Sequence, residues 1–73
     1  MIKIHLSRLL GDKKMSQAEL SRRTGIRPNS INAYYHEYVK YISKDDLDKI
    51  CEVLGCSVAE LIEFIPNKEK RTL

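Results

Sequence analysis

The stretch SQAELSRRTGIRPNSINAYY, residues 16–35, predicts two short helices joined by a tight turn. Ser16 is suited to cap the first helix, and Glu19, three residues later, can reach back to the Ser16 amide. We therefore expect this helix to begin at about Gln17. It should end near Gly25, because glycine readily adopts the left-handed conformation that follows a last helical turn.

The second helix of this stretch is expected to open at Pro28. Proline is favoured at the first helical position, where its missing N–H would have no partner, and it keeps Arg27 extended as a capping residue should be. Ile26 is the apolar residue of the turn. It should point inward and fix the angle between the two helices.

The second helix carries an uncharged outer side. At about 100° per residue, its apolar side chains share one arc and its polar or small side chains the opposite one. The inner arc contains Ile31, Tyr34 and Tyr35, and the outer arc contains Asn29, Asn32, Ala33 and His36.

Asparagine is unusual on such a surface, because it is a poor helix former and a solvated helix face normally carries Lys and Glu. Its amide offers a donor and an acceptor that match the N6/N7 edge of adenine in the major groove of DNA, and an alanine methyl can pack on a thymine methyl. The pattern favours base recognition. The alternative is a polar face without a function.

The length of 73 residues predicts a single domain, residues 1–66, followed by a polar tail, residues 67–73 (NKEKRTL). So short a chain should be modestly stable as a monomer and would gain from dimerisation. Its apolar runs are too short for a membrane span, and its start is too polar for a signal peptide, so we expect a cytoplasmic protein without membrane contact.

Positive charge is concentrated in the first part of the chain. Residues 1–44 contain nine Lys or Arg and three acidic residues, a balance of +6, whereas residues 45–73 contain four and seven, a balance of −3. A basic front half around the asparagine-bearing helix is typical of a phosphate-binding surface.

Cys51 and Cys56 fall on apolar positions and are expected to be buried free thiols. His5 and His36 lie on other elements, so we predict no metal site. The sequence also lacks a glycine-rich phosphate loop, paired carboxylates in an apolar setting and a nucleophile with a histidine base. We therefore expect no enzyme activity, no cofactor and no small-molecule ligand.

The remaining sequence predicts three more helices and no sheet, which makes the fold all-α. Leucines spaced three and four apart predict a helix over about residues 5–14, and serine caps predict helices that start after Ser43 and Ser57. The last helix should run to Pro66 and bury Val58, Leu61, Ile62 and Ile65. Residues 1–4 should form an extended arm or join the first helix.

Residues 37–42 are expected to form a loop that contacts phosphates. It carries Tyr38, Lys40 and Tyr41, whose hydroxyl and ammonium groups can reach the DNA backbone. We expect one of the two tyrosines to pack on the core and the other to face the phosphates.

With these residues in view, the chain resembles the Cro and repressor family of helix-turn-helix DNA-binding domains, the phage-repressor-like group. The resemblance covers about residues 5–65. It rests on Gln17, Leu20 and Ser21 in the leading helix, Gly25 and Ile26 in the turn, Ile31, and the stretch DLDKICEVLGCSVAELIEF. It implies a compact five-helix bundle with its helix-turn-helix at about residues 17–36.

The resemblance also implies roles for individual residues. Pro28, Asn29, Asn32 and Ala33 would face the major groove, with His36 on the same side, and Gln17, Arg27, Ser30 and Lys40 would contact phosphates. This chain has Arg27 where the family often has a Ser or Thr cap, and Ser21 where it often has Ala.

The resulting hypothesis is a sequence-specific DNA-binding transcriptional regulator, expected to be a repressor, that binds double-stranded DNA as a homodimer. Because the tail is short, we expect it to form neither an effector nor an oligomerisation domain, and we expect no ligand sensing by a second domain. The alternative hypothesis is a protein-interaction module, such as an antirepressor or an antitoxin, built on the same helices and supported by the acidic last helices.

Overall fold

A computed structural model describes residues 1–66 of the chain. In this part the protein is mainly helical, with a small two-stranded sheet formed by its two ends. Its elements are β1 (Ile2–Ile4), α1 (Leu6–Lys13), α2 (Gln17–Thr24), α3 (Pro28–Tyr35), α4 (Lys44–Leu54), α5 (Val58–Leu61) and β2 (Ile62–Phe64). The predicted tail, residues 67–73, lies outside the described residues.

The prediction of five helices is confirmed, but the prediction that the fold contains no sheet was wrong. β1 and β2 pair antiparallel, with Ile2 opposite Phe64, Lys3 opposite Glu63, and Ile4 opposite Ile62. The pairing stops α5 at Leu61, so the predicted helix to Pro66 does not form.

Hydrogen bonds with the start of the chain explain this difference. Met1 and Ile65 exchange two hydrogen bonds of 2.7 Å between their backbone groups, and the His5 N–H donates to the Leu61 carbonyl at 2.7 Å. Strand pairing depends on the partner strand as much as on local preference. Residues 62–64, whose local pattern predicts the end of a helix, therefore form a strand. Val58, which was predicted to be buried, is exposed.

The serine caps were predicted correctly. The Oγ atoms of Ser16, Ser43 and Ser57 each accept a hydrogen bond from the amide three residues later, at 3.0–3.2 Å. Ser57 and Glu60 form a complete capping box. Glu19 was expected to accept a hydrogen bond from the Ser16 amide, but its carboxylate pairs with Arg22 and Arg23 instead.

The core lies between the helices and receives one side chain from the sheet. Its buried apolar residues are Ile4, Leu6, Leu9, Leu10, Leu20, Ile26, Ile31, Tyr34, Ile50, Leu54 and Leu61. α2 packs on both α3 and α4, so it supports α3 from behind. This arrangement leaves the opposite side of α3 at the surface.

Cys51 and Cys56 are free thiols, half-buried against the core rather than fully buried. Burial and the neighbouring Cys51 thiol raise the pKa of Cys56 to about 11. Since the thiolate is the reactive form, this cysteine is a weak nucleophile at neutral pH. None of the helices in residues 1–66 has the length and apolarity that a membrane span requires.

Candidate nucleic-acid interface

The turn between α2 and α3 is fixed by hydrogen bonds and by one glycine. Gly25 has φ +78°, a conformation that glycine adopts without strain. The Thr24 hydroxyl donates to the Leu20 carbonyl at 2.7 Å and accepts from the Ile26 N–H at 3.1 Å. The Ser21 hydroxyl donates to the Ile26 carbonyl at 2.6 Å. With Ile26 buried, the angle between the two helices is well determined.

α3 begins at Pro28, as predicted. Arg27 is extended (φ −61°, ψ 145°), and its carbonyl accepts from the amides of Ser30 and Ile31 at 3.0 and 3.1 Å. The side chain of Arg27 caps no amide within the described residues, and it is exposed. The residue that replaces the usual Ser or Thr cap therefore leaves its guanidinium at the surface beside the helix.

The far end of α3 is held by Tyr34, which is 3% exposed. Its hydroxyl donates to the Asp46 carboxylate at 2.9 Å and accepts from the Ser43 N–H at 3.3 Å. Burial, together with the Asp46 carboxylate, raises the pKa of Tyr34 above its ordinary value. The same side chain thus anchors α3 and orders the first turn of α4.

The outward face of α3, defined by Asn29, Asn32 and His36, is at the surface. These three side chains are exposed, Pro28 beside them is exposed, and Ala33 is half-buried. Ile31 lies fully buried on the opposite side of the helix. The predicted separation between an apolar inner arc and an amide-bearing outer arc is therefore present.

The four phosphate-contact candidates differ in their exposure. Arg27 and Lys40 are exposed, whereas Ser30 and Gln17 are half-buried, Gln17 at the first position of α2. α3 itself has no charged residue. Neither Arg27 nor Lys40 forms an ion pair with any described residue. The guanidinium of Arg27 and the ammonium of Lys40 are therefore available to an anion.

Two acidic side chains, Glu19 on α2 and Glu37 just after α3, are already paired with cations. Burial raises the pKa of Glu19, but the hydrogen bond from Arg23 and the charge of Arg22 outweigh it and lower the pKa overall. Glu37 accepts from the Lys3 ammonium at 3.2 Å. Both carboxylates are therefore ionised and paired with cations of the chain, which reduces their repulsion of a polyanion.

The loop after α3 differs from its prediction. Tyr38 and Tyr41 are 72% and 87% exposed, so the expectation that one of them packs on the core was wrong. Tyr38 instead stacks on His36, with ring centroids 5.5 Å apart, and the ring of Tyr35 meets the same imidazole edge-on, with centroids 4.9 Å apart. Stacking among the aromatic rings replaces burial and positions the loop next to the outward face of α3.

Sequence reasoning missed two features, one just after α3 and one beside α2. Glu37 has φ +62° and accepts from the Ile4 N–H at 3.0 Å, which ties the end of α3 to β1. Lys13 and Lys14 border a shallow groove of about 340 Å³ beside the cap of α2. The two adjacent lysines are a visible signal in the sequence, but the position of their groove depends on the fold.

Comparison with known proteins gives two matches. The profile of the Cro/C1-type HTH DNA-binding domain matches residues 5–67. A Bacillus subtilis (strain 168) protein described as the uncharacterized HTH-type transcriptional regulator YozG is 32% identical over 66 residues, which cover 90% of this chain and 79% of that relative.

Proposed function

The chain belongs to the family of Cro/C1-type helix-turn-helix DNA-binding domains, and from this we propose that it is a sequence-specific transcriptional repressor that reads the major groove with the outward face of α3. The observation that supports the proposal most strongly is the exposure of Asn29 and Asn32 on a helix that is fixed to the core at both ends.

Base recognition would come from Pro28, Asn29, Asn32 and Ala33, with His36 at the far end of the same face. An asparagine amide can form two hydrogen bonds with one adenine, and each such bidentate contact discriminates by about 1–3 kcal/mol. The discrimination requires a rigid helix, because a side chain that moves with its backbone loses the geometry of the second bond.

Affinity would come mainly from phosphate contacts. Gln17 lies at the start of α2, where unpaired backbone N–H groups attract a phosphate. Arg27 precedes α3, Ser30 lies in its first turn, and Lys40 lies in the loop after it. Because these contacts release counterions from DNA, binding should weaken steeply as the salt concentration rises. They orient the protein on DNA but carry no sequence information.

We further propose that the protein acts as a two-fold homodimer on a pseudo-palindromic site and represses by occupying it. A single short helix reads few base pairs, so two copies on adjacent half-sites provide the specificity that one lacks. Selection of bound fragments from a random pool of double-stranded DNA tests this directly. A two-fold symmetric motif is expected, whereas a pool that stays random after repeated rounds would contradict sequence-specific recognition.

A further inference from the structure

The ribbon formed by β1 and β2 carries apolar side chains beyond the core. Ile2 and Phe64 are directly opposite each other and are 53% and 64% exposed, and Met1 next to them is 64% exposed. Residues two apart in a strand share a face, so Ile2 lies on the same face as Ile4, which is buried. The apolar face of the ribbon therefore starts in the core and continues into solvent.

The hydrogen-bond pattern shows which edge of the ribbon is open. Met1 and His5 bond to β2 and its flanks, so the alternating residues Ile2 and Ile4 direct their backbone groups away from β2. On the side of β1 that faces away from β2, the Ile4 N–H donates a hydrogen bond to the Glu37 carboxylate. By the same alternation, the N–H and C=O of Phe64 point away from β1, toward the outer edge of β2.

Within residues 1–66, the N–H and C=O of Phe64, at the outer edge of β2, form no backbone hydrogen bond with another element. β2 makes its extended contacts with β1 and with α5, the helix that leads into it. An open strand edge next to exposed apolar side chains is a template for pairing with another strand. If a two-fold axis relates two copies of the chain, the β2 edges of the two copies can pair only in the antiparallel direction.

We infer that the outer edge of β2 and the exposed Ile2 and Phe64 side chains form the homodimer interface, in which the two ribbons join into a four-stranded antiparallel sheet. The inference deepens the proposed function, on which it rests for the two-fold symmetry. The occupant is a second copy of this chain, and the paired apolar faces would make one continuous strip between the two cores.

Charge selects the register of this pairing. A two-fold axis at Glu63 would place two carboxylates directly opposite each other, which is destabilising. An axis at Phe64 instead places Phe64 opposite Phe64 of the second copy, where the two residues exchange two backbone hydrogen bonds. The next pair would join Ile62 to Pro66. The Ile62 N–H already donates to Val58 and proline has no N–H, so pairing stops there.

The size of the apolar patch indicates a weak dimer. A phenylalanine buries about 150–250 Å² in a contact, so Ile2 and Phe64, which share this face, together offer roughly 300 Å² per protomer. A standard stable interface buries about 800 Å² per partner. The protein should therefore be in monomer–dimer equilibrium in solution, and adjacent half-sites on DNA would favour the dimer by raising the local concentration.

Sedimentation of the full chain over a range of concentrations tests the interface. Wild type should change from monomer to dimer below millimolar concentration, and Phe64→Asp should remain monomeric throughout. Val58→Asp is the matched control, because Val58 is also an exposed apolar residue, at 52%, but lies outside the ribbon. Circular dichroism should show that both variants are folded. Dimerisation of Phe64→Asp at wild-type strength would overturn the inference.

Cross-linking tests the register independently of that substitution. In a chain with Cys51→Ala and Cys56→Ala, Phe64→Cys should form a covalent dimer under mild oxidation, because paired strand residues have the Cα separation that a disulfide needs. Glu60→Cys, on exposed α5, should not. If Phe64→Cys cross-links no better than Glu60→Cys, the proposed pairing is wrong.

The two proposals fail in different ways. Asn32→Ala should keep the monomer–dimer equilibrium of wild type, since Asn32 lies on α3. A chain that dimerises through Phe64 but selects no DNA motif would count against the proposed function and leave the interface standing. A chain that selects a motif but does not pair through β2 would count against the interface and leave the proposed function standing.

Discussion

The carboxylate of Glu37 accepts a hydrogen bond from the backbone N–H of Ile4, 3.0 Å away. Glu37 follows His36, the C-cap of α3. Its bond to Ile4 and its ion pair with Lys3 therefore join the end of α3 to β1, one of the two strands of the ribbon. In the proposed dimer, Glu37 would therefore link α3, the helix proposed to read DNA, to the surface that sets its distance from the second copy.

Replacing Glu37 with Gln should lower the thermal stability near neutral pH. The Ile4 amide, followed by the Lys3 ammonium, holds the pKa of Glu37 below its usual value of 4.5. A lowered pKa in the folded state means that the stabilisation is present above the unfolded pKa and is lost as pH falls through the folded pKa. The difference in melting temperature between wild type and Glu37→Gln should therefore shrink in acid. An equal difference at all pH values would show that the charge is unimportant.

Tyr34→Phe should destabilise the protein by about 1–3 kcal/mol, because it leaves the Ser43 N–H and the Asp46 carboxylate without their shared partner. Urea unfolding measures the change. Tyr41→Phe is the control, since Tyr41 is 87% exposed and should lose almost nothing. Equal stability of the two variants would mean that the Tyr34 hydroxyl does not anchor α3.

Gly25→Ala should cost about 1 kcal/mol, because alanine is strained at a φ of +78°. The substitution adds no clash, since no atom lies within 4 Å of the new Cβ. Gly11→Ala should instead stabilise α1 by about 0.5–1 kcal/mol, because Gly11 is helical and its Cβ would also meet open space. Unfolding in urea should give opposite signs for the two changes. The same sign for both would contradict the argument from conformation.

Lys40→Ala should weaken binding to all DNA sequences alike and reduce the salt dependence, by about 0.9 in the slope of log K against log salt if one phosphate contact is lost. Lys49→Ala is the control, because Lys49 lies on α4 and already pairs with Asp45. An unchanged slope for Lys40→Ala would remove the loop from the DNA interface.

Local signals in the sequence were sufficient for the helix-turn-helix. Each helix start depends on a residue and its near neighbours, as with Ser16, Ser43 and Pro28, and Gly25 ends α2 by its own conformational freedom. The inward positions of Ile31 and Tyr34 follow from helical spacing alone. For these features, nothing distant in the chain had to be known.

The sheet and the Glu37 contact could not be predicted in this way. The pairing of Ile2 with Phe64 and the hydrogen bond from Ile4 to Glu37 join residues that are far apart in sequence, and no local pattern specifies the partner. Ile62 illustrates the problem, because an isoleucine after a helical stripe fits both another turn of helix and a strand. The long-range hydrogen bonds decide between them.

Asn32→Ala tests most directly whether the outward face of α3 reads bases. The measurement is the affinity of wild type and variant for the selected site and for random DNA of equal length, at the same salt concentration. We expect the variant to lose about 1–3 kcal/mol on the selected site and almost nothing on random DNA. An equal loss on both, or no loss on either, would show that Asn32 does not read a base and would contradict the account.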